Sequence, residues 1–218
     1  MTKTVAVLGG TGNEGPGLAR RWAASGQYKI IIGSRQTEKA QRVANELNEM
    51  LGENLIVGML NEEAAKAAPI CVLTVPYGGQ GPTLTSLRDI LQGKILIDVT
   101  VPLKPPKVSH VNIVPGGSAG LEAQAILGDG VRVVSAFQNV GVAHLADDHE
   151  RIECDVLVCG DDKEAKAEAI ALAKAAGMRG IDAGPLQNSV VVEGLTSILI
   201  GINIRHKVKG SGIKITGI

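Results

Sequence analysis

Two short clusters in this chain carry residue types whose spacing could do chemistry. The first is Gly10-Thr11-Gly12-Asn13-Glu14-Gly15, which follows directly on the apolar run Val5-Ala6-Val7-Leu8. Glycines in this pattern, between a strand and a helix, suit a dinucleotide phosphate turn. Gly10 permits the tight bend, Gly12 lets the backbone approach a pyrophosphate, and Gly15 allows the helix to close on the strand. Amides at the helix start then face the phosphates, and Thr11 and Asn13 add donors beside them. The blander alternative is a turn that only joins strand to helix.

The second cluster is Gly33-Ser34-Arg35, with Lys39 one helical turn further on. Enzymes that use NAD usually carry an acid at the end of the second strand, where it binds the ribose 2′-hydroxyl. No carboxylate stands here. Arg35 can grip a phosphate through its planar fork, Ser34 can donate a hydroxyl, and Lys39 adds charge. These residues therefore predict a 2′-phosphate pocket, and the cofactor is read as NADP(H). A solvated loop balancing Glu38 is the competing account.

The remaining strand ends offer few titratable groups. Val75-Pro76-Tyr77, Asp98-Val99-Thr100 and Phe137-Gln138-Asn139-Val140 should line the nicotinamide and the hydride acceptor. Asp98 is their only carboxylate, and a capping role fits it at least as well. His144, Asp147, Asp148 and His149 are too loosely spaced for a metal site and read as a solvated loop, so no metal is expected. No Ser/His/Asp or Cys/His arrangement emerges, and no side chain is assigned as a catalytic group. That absence suits hydride transfer between two bound rings, which requires alignment and exclusion of water rather than a nucleophile.

Elements of an α/β chain must position these clusters. The 218 residues are 44% hydrophobic and 20% charged, enough to bury a core. Formal net charge is zero and aromatics are 2%, which argues against a nucleic-acid binder. No signal pattern or membrane-length apolar stretch stands out, so a cytoplasmic protein is expected. Three cysteines, Cys71, Cys154 and Cys159, form no disulfide framework.

Strands are predicted at 5–8, 29–33, 54–59, 70–75, 94–99, 131–137, 155–159 and 179–182. Helices are predicted at 13–25, 37–51, 61–68, 84–91, 121–127, 161–176 and 188–205. The stretch 101–120, rich in proline, glycine and serine, reads as a loop. Such alternation predicts a Rossmann-type doubly wound, mainly parallel sheet with a small C-terminal helical element. Residues 1–184 would form the NADP-binding domain. Residues 185–218 would form a helix and tail on the acceptor side, serving dimerisation. On the residues alone, the acceptor stays open: a flavin, an imine or another small oxidised molecule, or none if the chain is a non-catalytic NADP(H) sensor.

Several further segments run in a telling order: Val72-Leu73-Thr74-Val75-Pro76, Val134-Ser135-Ala136, Val158-Cys159-Gly160-Asp161-Asp162, Asp182-Ala183-Gly184-Pro185-Leu186 and Gly212-Ile213-Lys214. With the two clusters, they resemble the F420-dependent NADP oxidoreductases over nearly the whole chain. The resemblance implies a homodimer that moves hydride reversibly between the nicotinamide of NADP(H) and the deazaflavin coenzyme F420. It implies that Thr11, Ser34, Arg35 and Lys39 hold the 2′-phosphate end, and that Val75 and Pro76 lie beside the nicotinamide. Ala136 to Val140, with the tail near Ile213, would form the deazaflavin side. This chain departs from the family at Gln138, where His is common, at Gly141, where Pro is common, and at Glu14, where the family often has an apolar residue.

Overall fold

The structure is a computed structural model that describes residues 2–146 and 152–218. Six strands run parallel: β1 (Lys3–Leu8), β2 (Tyr28–Ser34), β3 (Ile56–Leu60), β4 (Ile70–Leu73), β5 (Ile95–Asp98) and β6 (Arg132–Ser135). Two more, β7 (Asp155–Gly160) and β8 (Arg179–Asp182), complete one sheet in the order β3-β2-β1-β4-β5-β6-β7-β8. Chain order reverses between β1 and β4, which places a crevice at the carboxyl ends of these strands. Strand residues such as Val5, Val7, Ile30, Ile32, Val72 and Ile97 are buried, as continuous apolar runs must be when helices cover both faces of a sheet.

Those helices are α1 (Gly15–Ala24), α2 (Thr37–Leu51), α3 (Asn61–Ala67), α4 (Tyr77–Leu91), α5 (Ala119–Leu127), α6 (Val142–Ala146), α7 (Lys163–Ala175) and α8 (Ser189–His206). Ser118 and Asp162 cap α5 and α7 by accepting from Leu121 N and Ala165 N. In α4, the helix starts at Tyr77, not at Leu84 as expected. Its first turns hold Gly78, Gly79, Gly81 and Pro82, all poor helix formers. Tertiary bonds compensate: Gln80 Nε2 donates to Asp98 Oδ2 and to Ala119 O, and Tyr77 Oη donates to Glu122 Oε2 at 2.7 Å.

One pairing departs from the expected parallel order. β7 runs antiparallel to β6, joined only through Val134 with Gly160 and Ser135 with Cys159. In its described part, the connection from β6 to β7 holds the five-residue helix α6 and no full crossover helix, so the chain turns back on itself. Because only the last two residues of β7 pair, Asp155 to Val158 continue past the carboxyl edge beside residues 136–139. Asn139 Nδ2 donates to Asp155 O at 2.6 Å across that gap.

Trp22 ties the two sides of the crevice. It is fully buried on α1, donates from Nε1 to Leu172 O at 2.8 Å, and meets Phe137 edge-on with ring centroids 5.9 Å apart. Phe137 sits at φ 75°, a left-handed conformation that a bulky residue adopts only when its surroundings impose it. Trp22→Ala should destabilise the fold by about 3–5 kcal/mol in urea unfolding, the usual range for emptying so large a buried site.

Candidate functional site

The phosphate turn is held from three strands. Gly10 N donates to Gly33 O at 2.9 Å, joining β1 to β2, and Thr74 N donates to Leu8 O at 2.9 Å, joining β4 to β1. Asn61 opens α3, and its Oδ1 accepts from Gly9 N at 3.0 Å, while Glu63 bonds the amide of Leu60 just before the helix. Asn61 is thus a part of the turn that sequence reasoning missed, because its partner lies 52 positions away in the chain.

The glycines divide into two kinds. A Cβ on Gly10 would stand 2.6 Å from Val7 O, and one on Gly15 would stand 2.6 Å from Gly10 Cα. Gly9, at φ 67°, faces Val75 Cγ1 at 2.3 Å by the same construction. Gly12 is different: it is exposed, and its nearest neighbours would be Gly9 O and Thr74 O at 3.6 Å. The protein itself does not need glycine there. The space over Gly12 is kept free for something else to approach. Thr11 and Asn13 flank it, and their side chains have no hydrogen-bond partner among the described residues. Helix α1 begins at Gly15, two residues later than predicted, so Asn13 and Glu14 belong to the turn.

At the end of β2, Ser34 is buried and accepts from Gln36 N at 3.3 Å. Arg35 and Lys39 are exposed, and neither has an ion-pair partner among the described residues. These two cations follow Gly33, whose carbonyl supports the glycine turn, by two and six residues, and side chains of this kind suit a second anion. The structure therefore brings Gly10, Thr11, Gly12, Asn13, Ser34, Arg35 and Lys39 to one edge of the sheet.

Val75 and Pro76 lie next along that edge, Val75 half-buried and Pro76 exposed. Gly78 follows at the start of α4, with nothing within 4 Å of where its Cβ would be. Ala136 and Val140, by contrast, are 0% and 4% exposed and join the main core cluster. The tail does reach this segment. Gly210 and Lys209 border Gly141, Gly212 packs on Cys154, and Asp155 N donates to Ile213 O at 2.7 Å. Asp155, bonded by Arg179 at 2.7 Å, also accepts from Ile215 N, which straps the tail to the amino end of β7.

Behind this segment lies a buried carboxylate that the apolar character of α8 concealed. Glu193 is 2% exposed and accepts from Ala119 N at 2.7 Å and Gly120 N at 3.0 Å, at the positive end of α5. Burial pushes it up to about 7, against the pull of those two amides. Asp98, fully buried, is pushed up to about 6 for the same reason, while Thr100 and Gln80 hold it down. Asp98 is thus structural, binding Gln80 and Thr100 N. Ser118 and Ser189 Oγ lie 2.6 Å apart, and Thr196 Oγ1 donates to Gln138 O at 2.7 Å. Helix α8 therefore docks through polar residues, leaving Val191, Ile198 and Ile204 exposed.

Among the described residues, no group of acidic, histidine or cysteine side chains could hold a metal. His144 is described, whereas Asp147, Asp148 and His149 of the expected polar loop lie outside the described residues. The three cysteines are buried and free, and burial pushes Cys71 up to about 12 and Cys159 up to about 11. No described helix is long and apolar enough to cross a membrane.

Residues 4–102 match the family model for coenzyme F420-dependent NADP oxidoreductases. The F420-dependent NADP reductase of Methanocaldococcus jannaschii is 43% identical over 222 residues, covering 98% of both chains. That of Methanothermobacter thermautotrophicus is 39% identical, over 100% of this chain and 97% of the relative. A solved structure from an Arthrobacter species superposes with a TM-score of 0.81 at 25% identity, covering 98% of this chain and 99% of that one. The pyrroline-5-carboxylate reductase of Coxiella burnetii shares the fold, with a TM-score of 0.64 at 18% identity, over 94% of this chain and 69% of that one.

Two outcomes follow from the turn. Gly12→Val should fold with an unchanged melting temperature yet lose dinucleotide binding in calorimetry, whereas Gly15→Val should lower the melting temperature as well, since its side chain meets backbone. Glu14 is partly buried, and burial pushes its carboxyl up from 4.5 to about 7. Its folded-state value exceeds the unfolded one, so stability tied to it is complete below 4.5 and lost as pH rises through about 7. Glu14→Gln should therefore melt higher than the parent at about pH 8, and bind dinucleotide more tightly there, with both gaps closing as pH falls.

Proposed function

This chain belongs to the family of coenzyme F420-dependent NADP oxidoreductases, and from that membership we infer which of its residues serve its reaction. It is an F420-dependent NADP reductase, an enzyme that transfers a hydride between NADP(H) and F420. When bound, the nicotinamide and the deazaflavin supply the hydride chemistry between them. The protein's task is to bind, align and shield the two rings.

Gly10, Thr11, Gly12 and Asn13 would cradle the pyrophosphate, with amides at the head of α1 facing its charge. Ser34, Arg35 and Lys39 would hold the 2′-phosphate. Val75 and Pro76, with the open start of α4 at Gly78, would form the bed of the nicotinamide. Residues 136–140 and the strapped tail would border the deazaflavin. Because Ala136 and Val140 are buried, their part is to shape that wall from behind rather than to present side chains. No side chain is assigned an acid, base or nucleophile role.

We also propose the finer organisation. Residues 1–184 act as the NADP-binding domain, and residues 185–218 complete the acceptor side and the contact between two copies. The exposed Val191, Ile198 and Ile204 of α8 support a homodimer covering that face. Buried, unpaired thiols suit the reducing cytoplasm.

One observation carries the cofactor choice: two cations, Arg35 and Lys39, without an ion-pair partner among the described residues, follow β2 beside a turn whose Gly12 is open. Mixing the protein with NADPH and F420 should bleach the deazaflavin absorbance, and NADH should replace NADPH poorly. Arg35→Glu should weaken NADPH by roughly 100-fold and leave NADH within about threefold, because it replaces a charge-assisted clamp by repulsion. Equal losses for both nucleotides would overturn the assignment.

A further inference from the structure

Charge is unevenly placed in this chain of zero net charge. Residues 100–118 and 194–218 carry six of its 22 lysines and arginines and none of its 22 aspartates and glutamates. The fold lays these two segments against each other. The loop 101–117 leaves β5 at the carboxyl edge of the sheet and returns to open α5. On its way it runs antiparallel to α8. A Cβ on Gly194 would stand 3.2 Å from Val111 Cγ1, and one on Gly201 would stand 3.5 Å from Ser109 Cβ. The same Cβ on Gly201 would lie 3.2 Å from Arg205 Nη1. The Arg205 guanidinium thus folds back along α8 to the stretch of loop between Lys107 and His110.

The loop holds its own shape. Asn112 Nδ2 closes its neck on Pro102 O at 3.0 Å, and His110 N donates to Lys107 O at 3.1 Å. Pro105 and Pro106 restrict the backbone between the two lysines. With these prolines, Lys104, Lys107 and His110 line an open concavity of about 420 Å³. Lys104, Lys107, Arg205, Lys207 and Lys209 are all exposed, and none has an ion-pair partner among the described residues. The negative end of α8 accounts for Arg205 and Lys207, but not for the loop lysines. Like charges gathered with no acid among them set up a field that an arriving anion relieves. The cations also continue toward the acceptor side: Lys209 O would lie 3.9 Å from a Cβ on Gly141, the residue after Val140.

We propose that these cations form a track, from Lys209 and Lys207 through Arg205 to Lys107 and Lys104, that holds an extended polyanionic tail on the hydride acceptor. This rests on the function proposed above, in which residues 136–140 border that acceptor. F420 carries such a tail, a phosphodiester followed by glutamate carboxylates on a flexible chain. The phosphates of NADP(H) share this charge, but their turn follows β1, and β4 stands between it and β5. Each exposed cation contributes little alone and is screened by salt, so the tail is held by several together and released as ionic strength rises. The track acts on capture and retention of the acceptor and leaves the reacting ring untouched.

The test uses the full chain and measures binding rather than turnover. Fluorescence titrations give the affinities of F420, of the same deazaflavin cut off before its phosphodiester, and of NADPH. The double variant Lys104→Glu, Lys107→Glu should weaken F420 by about 10-fold and leave the truncated deazaflavin and NADPH within about twofold, with the melting temperature near that of the parent. Lys29→Glu, at the amino end of β2, should leave F420 within about twofold. Added salt should weaken F420 more in the parent than in the double variant. Unchanged F420 affinity, equal losses for F420 and the truncated deazaflavin, or a loss falling on NADPH instead would overturn the proposal. So would a parent that binds the truncated deazaflavin as tightly as F420. Should the double variant fail to fold, Lys107→Gln with Arg205→Gln decides by the same criteria. If the parent bound neither deazaflavin, the function itself would fall, whereas normal parent binding with indifferent variants removes only the track.

Discussion

The bond from Gly10 N to Gly33 O crosses from the first strand to the second where the chain must turn, and the dinucleotide side of the molecule is arranged around it. The chain bends back so tightly there that a Cβ on Gly10 would meet Val7 O, and α1 closes on the bend so that a Cβ on Gly15 would meet Gly10. Asn61 pins Gly9, and Val75 fills the space above it. An anion arriving here meets amides that are already fixed, so little reorganisation opposes its binding. The same bond brings the end of β2 beside the turn, so the cations that follow Gly33 stand where a second phosphoryl group can be gripped.

The acceptor side is built from residues remote in sequence, and by other means. The β7–β8 ribbon overlaps β6 by only two residues and overhangs the crevice, where Asp155 and Arg179 fasten the tail. Glu193 places a carboxylate on the amides of α5, so a helix otherwise rich in apolar residues attaches through its polar face. Trp22 and Phe137 then link this wall to α1, which carries the phosphate turn at its head. Both sides of the crevice are in this way tied to one framework, which suits the proposed alignment of two rings.

Much of this was legible in the sequence. Val5-Ala6-Val7-Leu8 before the glycine turn marked the first strand, and Gly33-Ser34 marked the end of the second, because both depend on neighbours in sequence. The start of α4 was not legible, since Tyr77-Gly78-Gly79-Gln80-Gly81-Pro82 has the local chemistry of a loop and becomes helical only through Gln80 and Tyr77 bonding distant partners. The reversal of β7 was hidden for a related reason: strand alternation signals burial, not direction. Glu193 escaped notice because a lone carboxylate in an apolar helix is ordinarily exposed, and nothing nearby announces the helix terminus that receives it. Asn61 was equally hidden, because its partner Gly9 is set by sheet order.

The division among the turn's glycines bears on how such a chain can change over generations. Gly9, Gly10 and Gly15 are demanded by the protein's own atoms, so any descendant that folds must keep them. Gly12 has room around it, and a lineage freed from nucleotide use could drift there at no cost to its fold. Under the proposed function, the ligand and the scaffold would thus constrain different glycines of one turn, separable at a single residue.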